Sequence, residues 1–120
     1  MDRVLIIEDD VQVADMLTHA LVPIGYDVNT AHDGAEGLQM NQDSPADLII
    51  TDILMPGTGG IETIAALRKD YPEVKIIAIS GGGRVSAGNH LKVAQQVGAN
   101  VTLTKPFTYA DLIDAVQALI

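Results

Sequence analysis

The chain has no cysteine, and its aromatic residues are three tyrosines and one phenylalanine among 120 residues. Without cysteine there is no disulfide, no thiolate zinc site, no iron–sulfur cluster and no thiol nucleophile. Basic residues are also few: 7 Lys and Arg stand against 16 Asp and Glu, a formal net charge of −9. A surface this acidic repels phosphate backbones and anionic membranes, which argues against direct nucleic-acid binding by the domain. No apolar run approaches the about 20 residues that a membrane span needs. Met1-Asp2-Arg3 leads straight into a short apolar run, with no basic leader or small-residue cleavage site, so a cytoplasmic protein is expected. Gly81-Gly82-Gly83 lacks the Lys-Ser/Thr of a nucleotide-binding loop, and no Gly-x-Gly-x-x-Gly follows the first apolar run. His19, His32 and His90 share no metal-ligand spacing.

What is present fits one α/β domain over residues 1–120. Hydrophobic residues make up 48% of the chain, enough at this length to build a core without staples. Four runs are nearly continuous in apolar, mostly β-branched residues: Val4 to Ile7, Leu48 to Ile50, Lys75 to Ile79, and Val101 to Leu103. Strands buried on both faces of a parallel sheet read this way. Tyr26 to Ala31 alternates and predicts an edge strand. Between the runs lie helical stripes: Val11, Ala14, Leu17 and Leu21, stopped by Pro23 and Gly25; Ile61, Ile64, Ala65 and Leu67, closed by Tyr71-Pro72; Leu91, Ala94 and Val97, ended by Gly98. Asp33 to Met40 predicts a further helix weakened by Gly34 and Gly37. Thr108 caps a last one carrying Leu112, Ile113, Val116 and Leu119, with Leu119-Ile120 expected in the core. Five strand–helix units imply a parallel sheet with helices on both faces, joined by right-handed crossovers.

In such a sheet ligands bind where the carboxyl ends of the strands emerge. Glu8, Asp9 and Asp10 follow the first predicted strand, Asp52 the third, Ser80 the fourth and Lys105-Pro106 the fifth. Asp10 alone reads as a cap for the first helix. The others would converge on one edge. Packed carboxylates resist joint ionisation unless a cation sits among them, and oxygen-only donors favour a hard ion such as Mg²⁺. A divalent ion, an ammonium and a hydroxyl suit a transferring phosphoryl group, with one carboxylate as nucleophile.

These residues carry a family resemblance. Val4-Leu5-Ile6-Ile7-Glu8-Asp9-Asp10, Asp52-Ile53-Leu54-Met55-Pro56-Gly57 with Gly60, Ile79-Ser80 and Lys105-Pro106-Phe107 occur in order, each after the appropriate strand. Over essentially its whole length the chain resembles the receiver domain of two-component response regulators. The resemblance implies a flavodoxin-like, doubly wound (βα)5 three-layer sandwich with strand order 2-1-3-4-5. It implies Asp52 as phosphoacceptor, and Mg²⁺ (or Mn²⁺) held by Asp9, Asp52 and the backbone carbonyl of Leu54, with Glu8 acting through water. Lys105 would contact the phosphoryl group, Ser80 would be the switch hydroxyl, and Lys105-Pro106 would be a cis peptide. The phosphoryl donor would be a sensor histidine kinase or a histidine phosphotransfer protein, and a separate downstream protein would read the switch. The implied role is a phosphorelay switch rather than an enzyme in the usual sense. Val101 to Ile120 would form the partner surface, with a homodimer through the last strand and helices as one use of it. With 120 residues used by one receiver, a stand-alone regulator is expected.

The chain departs from the family pattern at Thr102, where an aromatic side chain usually turns inward on activation. The three glycines after Ser80 suggest instead a loop that moves as a unit. Leu54 and Gly82 offer no side chain to orient an attacking water, which predicts slow self-dephosphorylation. Two other functions remain open on sequence alone. One is a degenerate receiver used as a constitutive docking module. The other is an aspartate-nucleophile phosphatase, disfavoured because Leu54 stands where such enzymes place an acid–base Asp.

Overall fold

The computed structural model describes residues 2–53, 59–80 and 92–120. Five strands form one sheet: β1 (Arg3–Ile7), β2 (Asp27–Ala31), β3 (Leu48–Asp52), β4 (Lys75–Ser80) and β5 (Val101–Thr104). Their order is β2-β1-β3-β4-β5 and every pairing is parallel. The helices are α1 (Val11–Leu21), α2 (Gly34–Asp43), α3 (Gly60–Asp70), α4 (residues 92–97) and α5 (Tyr109–Leu119). A short 3-10 turn, Val22–Ile24, follows α1. Among the described residues no helix is long and apolar enough to cross a membrane.

The period-2 geometry of a strand divides the apolar runs between two cores. Leu5, Ile7, Ile49, Ile76 and Ala78 face α2, α3 and α4, packing with Leu38, Ile64, Leu67 and Ala94. Val4, Ile6, Leu48, Ile50, Ile77 and Ile79 face α1 and α5, packing with Leu17, Leu21, Leu112 and Val116. β3 is buried at all five positions, whereas the edge strands β2 and β5 are only partly covered. Burying one large aliphatic side chain contributes about 1.5–3 kcal/mol, so these two clusters are the main favourable contribution to folding.

Local signals set the helix ends. Asp10 accepts hydrogen bonds from the amides of Gln12 and Val13, and Asp33 accepts one from Glu36. Thr108 and Asp111 form a reciprocal capping box at the start of α5. Gly25 ends the 3-10 turn at a φ of 110°, which disfavours residues with a Cβ.

Three helical stripes differ from expectation. Val11 is 59% exposed; it lies in the first turn of α1, and Ala20 completes the buried face in its place. In α3, Ala65 is exposed while Gly60 and Thr63 join Ile64 and Leu67 inside. α2 continues past Met40 to Asp43, because Gly37 is a packing site rather than a break: a Cβ there would run into the Ile7 side chain. Leu119 and Ile120 lie partly buried against the α1/α5 core. Leu91 falls outside the described residues.

Candidate functional site

Strand register decides which loops meet. Ile7 lies opposite Ala31 and Thr51, Asp52 opposite Ile79, and Ser80 opposite Thr104. The carboxyl ends of β1, β3, β4 and β5 therefore open on one edge, and Glu8, Asp52, Ser80 and Lys105 are carried there by four different strands. The order β2-β1-β3 places the reversal of winding between β1 and β3, where Glu8 and Asp52 emerge.

Lys105 is the electrostatic centre of this edge. Its Nζ donates to Asp52 Oδ2 at 3.0 Å and to Glu8 Oε1 at 3.3 Å. Its backbone N–H donates to the Ser80 carbonyl at 2.8 Å, and the following Lys105–Pro106 peptide is cis. Asp52 and Glu8 are both buried, at 6% and 2% exposure. Two buried carboxylates beside one ammonium leave an excess of negative charge.

The titration of Glu8 follows from that excess. Burial, then the neighbouring charge of Asp52, raise its pKa from 4.5 to about 7. The amide of Asp10, which donates to Glu8 Oε2 at 3.2 Å, and the charge of Lys105 pull the other way without cancelling the shift. For Lys105, burial lowers the pKa, but the hydrogen bonds and charges of Asp52 and Glu8 outweigh it and the ammonium is held above its usual value.

Asp9 is exposed at the rim and completes the acidic group. Carboxylate oxygens of Glu8, Asp9 and Asp52 all lie within 4.8 Å of one another. Such a donor set, all oxygen and anionic in excess of its ammonium, fits a hard divalent cation. Ser80 is fully buried at the end of β4. Leu54 and the glycines at 81–83 lie outside the described residues. Thr102 is half-buried in β5 opposite Ala78, on a strand otherwise built of Val101, Leu103 and Thr104. His19 and His32 are exposed and stand apart from the acidic group; His32 Nδ1 lies 3.2 Å from Glu36.

Thr51 here and Arg68 remote from the edge were not read from the sequence as parts of the framework, and Gly60, which belongs to the motif after Asp52, was read without its contact. Thr51 is completely buried, and its hydroxyl donates to the Asp52 carbonyl at 3.1 Å; a polar residue inside an apolar strand was the available signal. Gly60 packs directly on the Asp52–Ile53 peptide. At the opposite end of the sheet, Arg68 donates to the carbonyls of Gly98, Pro72 and Val74 and to Asn100 Oδ1. Arg68 interrupts the apolar stripe of α3 in order to tie that helix to the starts of β4 and β5.

Comparison with known proteins agrees with this geometry. The family model described as response regulator receiver domain matches residues 4–117. The transcriptional regulatory protein CpxR of Escherichia coli is 30% identical over 120 residues, covering all of this chain and 50% of that protein. PrrA of Mycobacterium leprae, also a transcriptional regulatory protein, is 36% identical over 118 residues, covering 98% of this chain and 49% of that one. The chain thus spans about half the length of the curated relatives it matches. Among solved structures, the chemotaxis protein CheY4 of Vibrio cholerae superposes with a TM-score of 0.90 at 31% identity, covering 100% of this chain and 99% of that one. A family profile over nearly every residue, and a matching fold with the acidic group and lysine on the expected strand ends, place the chain in the response regulator receiver domain family.

Proposed function

We propose that the chain is a phosphoacceptor switch in a two-component relay, with Asp52 as the residue that takes the phosphoryl group. The observation that carries this reading is the Lys105 ammonium shared between Asp52 and Glu8 across 53 and 97 residues of sequence. A structural ion pair would be complete with one carboxylate. A second buried carboxylate, with Asp9 within reach, is an arrangement that costs stability and suits a divalent cation and a phosphoryl group.

Asp9 and Asp52 would hold Mg²⁺ or Mn²⁺, with Glu8 acting through water and the Leu54 carbonyl completing the set that the family resemblance implies. A bound divalent ion supplies charge neutralisation for the incoming phosphoryl oxygens. An Asp52 carboxylate oxygen attacks phosphorus, the bond from phosphorus to the donor's leaving group breaks, and an acyl phosphate forms on Asp52. Lys105 is placed to exchange its contact with Asp52 Oδ2 for one with a phosphoryl oxygen. Ser80, at the end of the neighbouring strand, would follow the new charge and alter the surface that a partner reads. The donor would be a sensor histidine kinase or a histidine phosphotransfer protein, and the reader a separate protein, another domain or a second copy of the chain bound through β5 and α5. The −9 charge argues that this domain itself does not contact nucleic acid.

Incubation with acetyl phosphate and Mg²⁺ followed by intact mass measurement tests the proposal. One added phosphoryl is expected on the wild-type chain and none on Asp52→Asn. An unmodified wild type would favour a constitutive docking module, and continuous release of phosphate would favour a phosphatase.

A further inference from the structure

Between the end of β3 and the start of α3, a glycine touches the backbone that carries the acceptor carboxylate. A Cβ built on Gly60 would collide with the Asp52 carbonyl oxygen, and would lie 2.5 Å from Ile53 Cα and 3.0 Å from the Asp52 carbonyl carbon. All three are backbone atoms, so no side-chain rotation relieves the contact. The same peptide is held from other directions. The Ile53 N–H donates to the Ile79 carbonyl at 2.9 Å, and the Gly60 N–H donates to the Ile53 carbonyl at 3.0 Å. The Thr51 hydroxyl donates to the Asp52 carbonyl. The peptide is thus clamped between β4 and the first residue of α3. Its Cα atom bears the side chain whose Oδ2 meets Lys105.

Resting on the phosphoacceptor reading above, we propose that Gly60 is a positioning residue for phosphoryl transfer: its missing side chain lets α3 seat the Asp52–Ile53 peptide where the Asp52 carboxylate faces Lys105 and Glu8. A methyl group at Gly60 would have to push that peptide or the start of α3 aside by a large fraction of an ångström. Phosphoryl transfer depends mainly on positioning and electrostatics, and a displacement of about 1 Å can cost on the order of 100-fold in rate. Gly59 is the natural control. It precedes Gly60, has a φ of −71°, and a Cβ there would meet nothing closer than Glu62 Oε1 at 4.0 Å.

The test compares wild type, Gly60→Ala, Gly59→Ala and Arg68→Ala for the rate of adduct formation from acetyl phosphate, for Mg²⁺ affinity by calorimetry, and for Tm. Rates are read at a temperature where every variant is folded. Arg68→Ala removes a clamp at the far end of the sheet and so reports what loss of stability alone does. Gly60→Ala is expected to form adduct about 10- to 100-fold more slowly than wild type. Gly59→Ala and Arg68→Ala are expected to stay within about two-fold, the first because its Cβ would enter open space and the second because it lies at the far end of the sheet. A Gly60→Ala rate within two-fold of wild type overturns the proposal, as does an equal slowing in Arg68→Ala at equal loss of Tm. Should Gly60→Ala fail to fold, the wild-type chain still decides. In an Mg²⁺ titration followed by NMR, the Gly60 amide is expected to shift at the same half-saturating Mg²⁺ as the Asp9 and Asp52 amides; a silent Gly60 overturns the proposal. A wild type that takes no phosphoryl group at all would instead refute the phosphoacceptor reading, while the Gly60 response to Mg²⁺ would still report on the clamp.

Discussion

Replacing Glu8 by Gln should stabilise the metal-free protein more at alkaline than at acidic pH, by an amount set by the environment of one carboxyl group. In the folded chain, burial and Asp52 raise the Glu8 pKa from 4.5 to about 7. Between those values the folded state binds more protons than the unfolded state, so stability falls as pH rises through this window. The full shift corresponds to about 3 kcal/mol, and about three-quarters of that accrues between pH 5 and pH 8. Asp9 beside Glu8 is exposed, and an effective dielectric well above that of a dry interior reduces the difference to about 1–1.5 kcal/mol. Gln lacks the titration but also packs and hydrogen-bonds differently from a neutral carboxyl, a difference that is nearly independent of pH, while the charge-dependent pull of Asp10 and Lys105 is already contained in the raised pKa. Subtracting the Tm difference between variant and wild type at pH 5 from that at pH 8 removes this constant part. For 120 residues the entropy of unfolding is about 0.25 kcal/mol/K, so the remainder should be about 4–6 °C in favour of Glu8→Gln. Melting followed by circular dichroism in EDTA measures it. A remainder of zero, or one of opposite sign, would mean that Glu8 ionises in the folded state as freely as in the unfolded chain, and the electrostatic account of the site would fail.

The other predictions concern the metal, the lifetime of the adduct and the framework. At pH 8, saturating Mg²⁺ should raise Tm, because a ligand that binds only the folded state stabilises it by mass action; Asp9→Asn should weaken Mg²⁺ binding about ten-fold or more in a calorimetric titration. Leu54→Asn should hasten loss of the phosphoryl group severalfold, read from the decay of the adduct mass, and an unchanged decay would remove the argument from Leu54. Arg68→Ala should lower stability by about 1–3 kcal/mol in urea denaturation, since the carbonyls of Gly98, Pro72 and Val74 lose a shared charged donor.

The sheet was legible in the sequence because buried parallel strands leave a strong signal. The runs around Ile6, Ile49 and Ile77 are continuous, and their spacing leaves room only for helical crossovers. The site was legible for a related reason. Once strand ends are located, the topology alone sends Glu8, Asp9, Asp52, Ser80 and Lys105 to one edge, and no side-chain detail is needed to say so. Helix faces were less legible. Val11 fits the apolar spacing of α1, yet it lies in the first turn and is exposed, whereas Ala20 carries the stripe inward. Apolar spacing fixes a helix direction but not how far the neighbouring layer extends over its ends.

What sequence reading missed is mostly defined by atoms that are absent or by backbone partners. Arg68 looks like a break in an apolar stripe because its acceptors are carbonyls, and a carbonyl belongs to every residue. Gly37 looks like a weak point in α2, although the missing Cβ is what lets that helix rest on Ile7. Gly60 stands out in the sequence only as the last position of the motif after Asp52, and its contact with the Asp52–Ile53 peptide is not visible there. In each case the signal lies in a neighbour some distance away in the chain, so it becomes visible only after the register is known. The same reasoning bears on Thr102. Its place in β5 opposite Ala78 is set by register, and a strand of this width accommodates a threonine without strain. An inward-turning ring is therefore not needed to build the fold. Threonine in place of the family's aromatic thus leaves the edge that holds Glu8, Asp52 and Lys105 as the register sets it.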